Sequence, residues 1–237
     1  MNFELNDNIN RRSVFLINWS DIEGRLDPMT YHKDRLEAIN SLLNSPFKAE
    51  PLKKIVGFRR EYISSISNDD TIYVGLENVA SDTGDFISTE EKESISTASV
   101  FKKADVPKLR PYLNKVYYAE FDGICSTEFH VISNSKVQKK YLAIFLRSSL
   151  VVRQTTKLMS GNTLPRLQTE DIHNLIIPVP PDNVQQSVIQ VFEKAQQLKE
   201  SKEAEAEKLL KSIDDYLLAE LGIEVPEEDK SLKNRVF

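Results

Sequence analysis

The chain has one cysteine, three histidines, seven glycines and one tryptophan in 237 residues, and these shortages close off several kinds of chemistry. With Cys125 alone there is neither an intrachain disulfide nor a thiolate cluster for a metal, and its neighbours Ile124 and Phe129 favour a buried thiol over a nucleophile. His32, His130 and His173 are scattered without the two-histidine spacing of a helical metal site, so no metal is expected. There is no Gly-rich phosphate loop ending in Lys-Ser/Thr, no Gly-x-Ser-x-Gly elbow and no Asn/Asp-Pro-Pro-Tyr/Phe methyltransferase loop. Pro181-Asp182 followed by Glu200-Ser201-Lys202 imitates a nuclease signature, but its carboxylates would lie along one helix instead of converging on a metal. The expectation is a chain with no catalytic residues and no cofactor. No stretch approaches the ~18 consecutive apolar residues of a membrane span, and the first residues lack a basic region followed by an apolar run. A cytoplasmic chain that does not meet a membrane is expected.

What is present is a core-forming composition, 40% hydrophobic, and a segregated charge. The formal net charge of −5 conceals a basic middle: residues 99–181 hold 12 Lys and Arg against 6 Asp and Glu, between two acidic flanks. Such a segment is either the electrostatic footprint of a polyanion site or an ordinary solvated face, and charge alone weighs the two evenly.

The pattern of residues predicts an α+β chain. Val14 to Trp19 reads as a short strand, and Leu36, Ile39, Leu42 and Leu43 make residues 31–43 an amphipathic helix ended before Pro46. Residues 71–76, 116–119 and 129–132 have the β-branched and aromatic content of strands, and residues 77–99 read as a polar surface excursion. Residues 139–158 read as one helix, with Leu142, Phe145, Leu146, Val151 and Val152 on its buried side. Because no regular βαβ repeat emerges, the domain is expected to be a mixed irregular sheet with flanking helices. Pro178, Pro180 and Pro181 then form a stiff boundary. From Val184 to Leu221 no Pro or Gly interrupts a helix roughly 55 Å long, with Gly222 its natural stop. Val184, Val188, Val191, Ala195 and Leu198, then Leu209, Ile213, Tyr216 and Leu217, form apolar stripes, the pattern of a helix that packs on another helix, with a solvated single helix as the competing reading. A short internal repeat links Asn10-Arg11-Arg12-Ser13-Val14-Phe15 to Lys233-Asn234-Arg235-Val236-Phe237.

Several segments, taken in order, carry a resemblance. They are Trp19 to Pro28, Lys108-Leu109-Arg110-Pro111-Tyr112-Leu113-Asn114-Lys115, Asp122-Gly123-Ile124-Cys125-Ser126-Thr127-Glu128-Phe129, Gly161-Asn162-Thr163-Leu164-Pro165-Arg166-Leu167, Leu175-Ile176-Ile177 and Leu221-Gly222-Ile223. In that order they resemble the target-recognition half of a type I restriction-modification DNA specificity subunit. The family's usual run before Leu-Arg-Pro is longer, and its usual Glu-Gln at the helix start is Gln185-Gln186 here. The resemblance implies a target-recognition domain over residues 1–180, a dimerisation helix over 181–222 and a tail over 223–237. It also implies a non-catalytic role directing methyltransferase and restriction subunits to a bipartite site on double-stranded DNA, and for this half-length form a homodimer.

The residues fit that implication. Lys108, Arg110 and Lys115, interleaved with Tyr112 and Asn114, can supply phosphate charge and groove contacts, and Arg166 follows a flexible Ser-Gly-Asn-Thr turn. The competing reading packs the stems of Arg110 and Lys115 on Pro111 and Leu113. A coiled-coil adaptor without nucleic acid is the alternative of a different class.

Overall fold

The structure, a computed structural model, describes residues 6, 8–10, 14–22, 26–64, 71–88, 97–109, 113–156, 158 and 167–223. Two 3-10 turns, Trp19–Asp21 and Pro28–Tyr31, come first, the second capped by the Asp27 carboxylate, which accepts from Met29 N. The strand expected over Val14 to Trp19 is not there. Val14 and Leu16 are exposed, and the segment has no ladder partner, which apolar content alone cannot supply. Helix α1, Lys33–Leu43, begins where His32 Nδ1 accepts from Asp34 N; of the predicted stripe Leu42 is buried, Leu36 and Ile39 are half-buried and Leu43 is exposed, while Ala38, outside that stripe, is buried.

The chain then runs through β1 (Ala49–Pro51), α2 (Leu52–Ile55), β2 (Val56–Phe58), β3 (Tyr62–Ile63), β4 (Tyr73–Val74), β5 (Ala98–Phe101), β6 (Val106–Leu109), β7 (Lys115–Val116), β8 (Gly123–Cys125) and β9 (His130–Ser135). Next come α3 (Lys139–Leu146), α4 (Ser149–Thr155), α5 (Thr169–His173), β10 (Ile176–Pro178), α6 (Asp182–Lys211) and α7 (Ile213–Leu221). One four-stranded antiparallel sheet has the order β2-β9-β6-β7, a second has the order β3-β5-β8-β4 with β4 and β8 parallel, and β1 pairs with β10. Mixed pairing and two- to six-residue strands give the irregular α+β architecture that the sequence predicts.

Two apolar clusters pack against the sheets, and β9 contributes to both, Ile132 to the first and Val131 to the second. The first holds Leu52, Ile55, Ile132, Leu142, Leu146, Leu175 and Ile177 and is closed by Ile189 of α6. The second is aromatic, with Phe101 and Tyr117 edge-on at 6.1 Å and Phe86 and Phe121 packed around them. Residues 77–88 are not the surface excursion their polarity suggested: Val79 is fully buried and bridges to Phe86. The helix expected over 139–158 is two helices, broken at Arg147 and Ser148. Gln154 stands in for a missing strand: its amide donates to the Ile176 carbonyl and accepts from Ile176 N. The buried Cys125 thiol is pushed up to about 12 by burial, as a core residue rather than a nucleophile would be.

The chain divides into two compact units, residues 1–189 and 190–237. The first turns of α6 belong to the first unit, where Gln185 is buried, accepts from Gln138 N at 2.7 Å and donates to the Pro180 carbonyl. In the second unit, α6 and α7 are separated at Ser212, whose hydroxyl donates to the Leu209 carbonyl. Gly222 ends α7 with φ of 63°, the left-handed stop expected from the sequence. Among the described residues no helix is long and apolar enough to cross a membrane.

The chain passes between the two sheets at the β2–β3, β5–β6, β7–β8 and β8–β9 links, and one carboxylate ties the first two of these together. Asp105 is 1% exposed; its Oδ2 accepts from Arg59 Nε and Lys102 N, both at 3.0 Å, and its Oδ1 accepts from Lys139 Nζ at 3.2 Å. Removing one member of such a group leaves the remaining charges uncompensated. Asp105→Ala is expected to cost about 3–5 kcal/mol in urea unfolding. Lys102→Ala, which keeps its backbone donor, should change stability by less than about 0.5 kcal/mol. Equal effects in the two variants would show that the carboxylate does not hold the links.

Candidate nucleic-acid interface

The β6–β7 hairpin carries most of the basic residues singled out by sequence, and its turn is anchored from outside. Asn114, at φ 46°, is buried; its Nδ2 donates to Asp82 Oδ1 and to the Arg147 carbonyl, each at 2.8 Å. Its own carbonyl accepts from Asp82 N at 3.2 Å. Lys115 Nζ donates to the Leu76 carbonyl at 2.6 Å. The Arg147 guanidinium reaches the Val116 carbonyl at 3.4 Å, and burial pushes it down to about 10, partly offset by Asp85.

Gly84 lies under this junction at φ 74°. A Cβ there would come within 2.1 Å of Arg147 Nη1 and 2.2 Å of the Val116 carbonyl, so only glycine fits. Asp82 and Asn114 also have positive φ, a conformation that costs non-glycine residues free energy and persists where surrounding contacts hold it. The segment around Asp82 is thus lashed to the hairpin, and the hairpin to the α3–α4 junction. The Asn114 amide takes the Arg147 carbonyl as α3 ends, which accounts for the break between the two helices.

Lys108 lies on the inner face of β6, paired across the sheet with His130 of β9 and Val116 of β7. It is 2% exposed, and burial pushes its ammonium down to about 8. The Phe58 ring contacts both His130, edge-on at 6.5 Å, and His173, tilted at 4.6 Å. Burial, then the nearby His173 and Lys108, hold His130 below the usual imidazole range. Glu170 Oε2 is 4.0 Å from His173 Nδ1 and is itself exposed, with its other oxygen bonded to Lys53.

Of the five residues expected to face DNA, the structure places Lys108 in the interior and engages Asn114 and Lys115 in the anchoring network. Arg110 and Arg166 lie outside the described residues, as do Arg11, Arg12 and the whole 233–237 half of the internal repeat. Asp82, Gly84 and Arg147 went unrecognised in sequence; the available signal was the Asp-Thr-Gly-Asp turn at 82–85, read there only as surface. His130 and His173 were seen only as non-ligands.

On the helices, Val184 is half-buried, whereas Val188, Val191, Ala195, Leu198, Leu209, Ile213, Tyr216 and Leu217 are exposed, together with Leu210 and Leu221. The face of α6 that enters the first unit is the one bearing Gln185 and Ile189.

Comparison with known proteins gives a consistent set of similarities. The family model of the type I restriction modification DNA specificity domain matches residues 60–211. Over 86 residues, 36% of this chain and 19% of the other, the chain is 31% identical to the type I restriction enzyme EcoDI specificity subunit of Escherichia coli. Its fold is similar to that of the HsdS subunit from Thermoanaerobacter tengcongensis, with a TM-score of 0.53, 24% identity, and coverage of 78% of this chain and 53% of that one. A solved chain described as showing the structural basis of complex assembly and conformational transition of the type I R-M system is 25% identical, with a TM-score of 0.53 over 77% of this chain and 52% of that one. The chain thus spans about half the length of these solved relatives and a fifth of the curated one.

The anchoring network predicts an order of stability. Asn114→Ala loses the side-chain donors and strains the positive φ, whereas Asn114→Gly loses only the donors, so alanine should be the worse substitution by about 0.5–1 kcal/mol. Both should unfold at lower urea than the wild type. An alanine variant as stable as the glycine variant would mean that the backbone at Asn114 carries no strain.

Proposed function

Since the chain belongs to the type I restriction-modification DNA specificity family, we propose that it reads double-stranded DNA on behalf of methyltransferase and restriction subunits and performs no chemistry of its own. The observation that carries this reading is the family match from β3 through α6, which spans the anchored hairpin and the start of the helix. Lys108 and Leu109 enter the hairpin turn on the β6 ladder, and Asn114 leaves it under the grip of Asp82 and Arg147. Anchored flanks lower the ordering cost of binding. Arg110, which follows Leu109 in sequence, and Arg166 of the 159–166 segment are the residues proposed to meet DNA. Lys115 and Asn114 are proposed to anchor the flank of that segment, a different role from the direct contact expected of them in sequence.

Arg110→Ala and Arg166→Ala should weaken binding of duplex by the chain assembled with its methyltransferase subunits, each lost phosphate contact lowering the salt slope by about one. Circular dichroism should show both variants folded. Binding that does not respond to salt, or is absent from the assembled complex, would leave the adaptor reading in its place.

The exposed stripes of α6 and α7 support the proposal of a homodimer. Val188, Val191 and Leu198 on one copy would face Leu209, Ile213, Tyr216 and Leu217 on the other in antiparallel register, giving two identical readers about a two-fold axis. The recognised site is then an inverted repeat of two half-sites with a fixed spacer. Leu209→Asp with Ile213→Asp should convert a dimer into a folded monomer in light scattering. A wild-type chain that is already monomeric at micromolar concentration would overturn the symmetric arrangement.

A further inference from the structure

Three nitrogen-bearing side chains from different elements converge at one end of the β2-β9-β6-β7 sheet. Lys108 comes from β6, His130 from the facing position of β9, and His173 from α5; Phe58 of β2 contacts both imidazoles. Lys108 is the innermost, at 2% exposure, while the two histidines are only half-buried. Among the described residues no carboxylate lies within ion-pair distance of Lys108. The nearest acidic group to the cluster, Glu170, sits on the outer side against His173 and is bonded to Lys53 and Asn174.

A buried ammonium is normally paired, because burial removes its hydration and returns nothing. Elsewhere in this chain the rule holds: Arg59 and Lys139, both better solvated than Lys108, share the Asp105 carboxylate. Facing Lys108 across the sheet is a further base, His130, with His173 beside that. Burial lowers Lys108, and burial followed by the nearby His173 and Lys108 lowers His130. An oxyanion entering between the histidines would give the lysine the charge partner it lacks and take both imidazoles as donors. The Phe58 ring fixes the direction of the two imidazoles in advance.

We propose that Lys108, His130 and His173 form a pocket for a phosphate-type oxyanion, with Lys108 as its floor and the two imidazoles as its rim. The pocket stands on its own geometry, and only the source of the phosphate rests on the DNA-recognition reading. Lys108 immediately precedes the hairpin turn, so a DNA backbone phosphate seated there would fix the register of that turn along the duplex. Free inorganic phosphate is the other source of the same chemistry.

The test uses the full chain and inorganic phosphate, with chloride holding the ionic strength constant and the three histidine side chains followed by NMR. His130 and His173 should shift saturably while His32 stays still, and Lys108→Met should weaken phosphate at least tenfold. Should Lys108→Met fail to fold, His173→Gln carries the same expectation. Adding a duplex of about 20 base pairs, about the length for which site-sized DNA behaves as a short stiff rod, separates the sources. Displacement of bound phosphate assigns the pocket to the DNA backbone; duplex binding that leaves the phosphate shifts intact assigns it to free phosphate. Non-saturable drift of all three histidines alike, or undiminished binding by the folded variant, overturns the pocket. Duplex binding itself, read by fluorescence anisotropy against salt, reports separately on the DNA reading.

Discussion

The Asp105 carboxylate is the constraint on which the rest of the domain depends. The two sheets are joined by short links and by β9, whose Ile132 packs in the first cluster and whose Val131 packs in the second. Asp105 gathers a side chain from the β2–β3 link, a backbone amide from the β5–β6 link and a lysine from the first turn of α3. Its own backbone carbonyl accepts from Ala119 N, and Ala104 N donates to the Ala119 carbonyl, so the segment after β7 is tied in as well. Removal from water is costly for this carboxylate, and three donors make that removal tolerable. The β6–β7 hairpin begins one residue after this tie.

A second tie sits at the other end of the hairpin and is built from backbone rather than charge. Asp82 and Asn114 adopt conformations that cost free energy locally, and the bonds among Asn114, Asp82 and Arg147 compensate for them. The two ties work on different chemistry. The first resists separation of the sheets; the second sets where the turn emerges.

Much of this was legible in residues alone, because local pattern decided it. The helix at α1, the burial of Cys125 and the Gly222 stop all depend on near neighbours. Elements that depend on distant partners were not. Val14 to Trp19 has strand composition but no strand beside it. Val79 and Phe86 lie in a polar stretch, yet pair with each other over the aromatic cluster. The break at Arg147 follows from an asparagine 33 residues away. Lys108 illustrates the limit most sharply. Within a basic run it reads as a phosphate ligand at the surface, whereas its strand period places it beside Val106 on the inner face. The period was visible in Val106-Pro107-Lys108-Leu109, but which face was inward depended on β9.

Gly84 admits no side chain, and Asn114 and Asp105 are held by several bonds each, so the sequence around them has little freedom to drift. Variation in what the domain binds then has to come from positions outside this mount, so one framework can acquire a succession of binding preferences without having to solve its folding problem again.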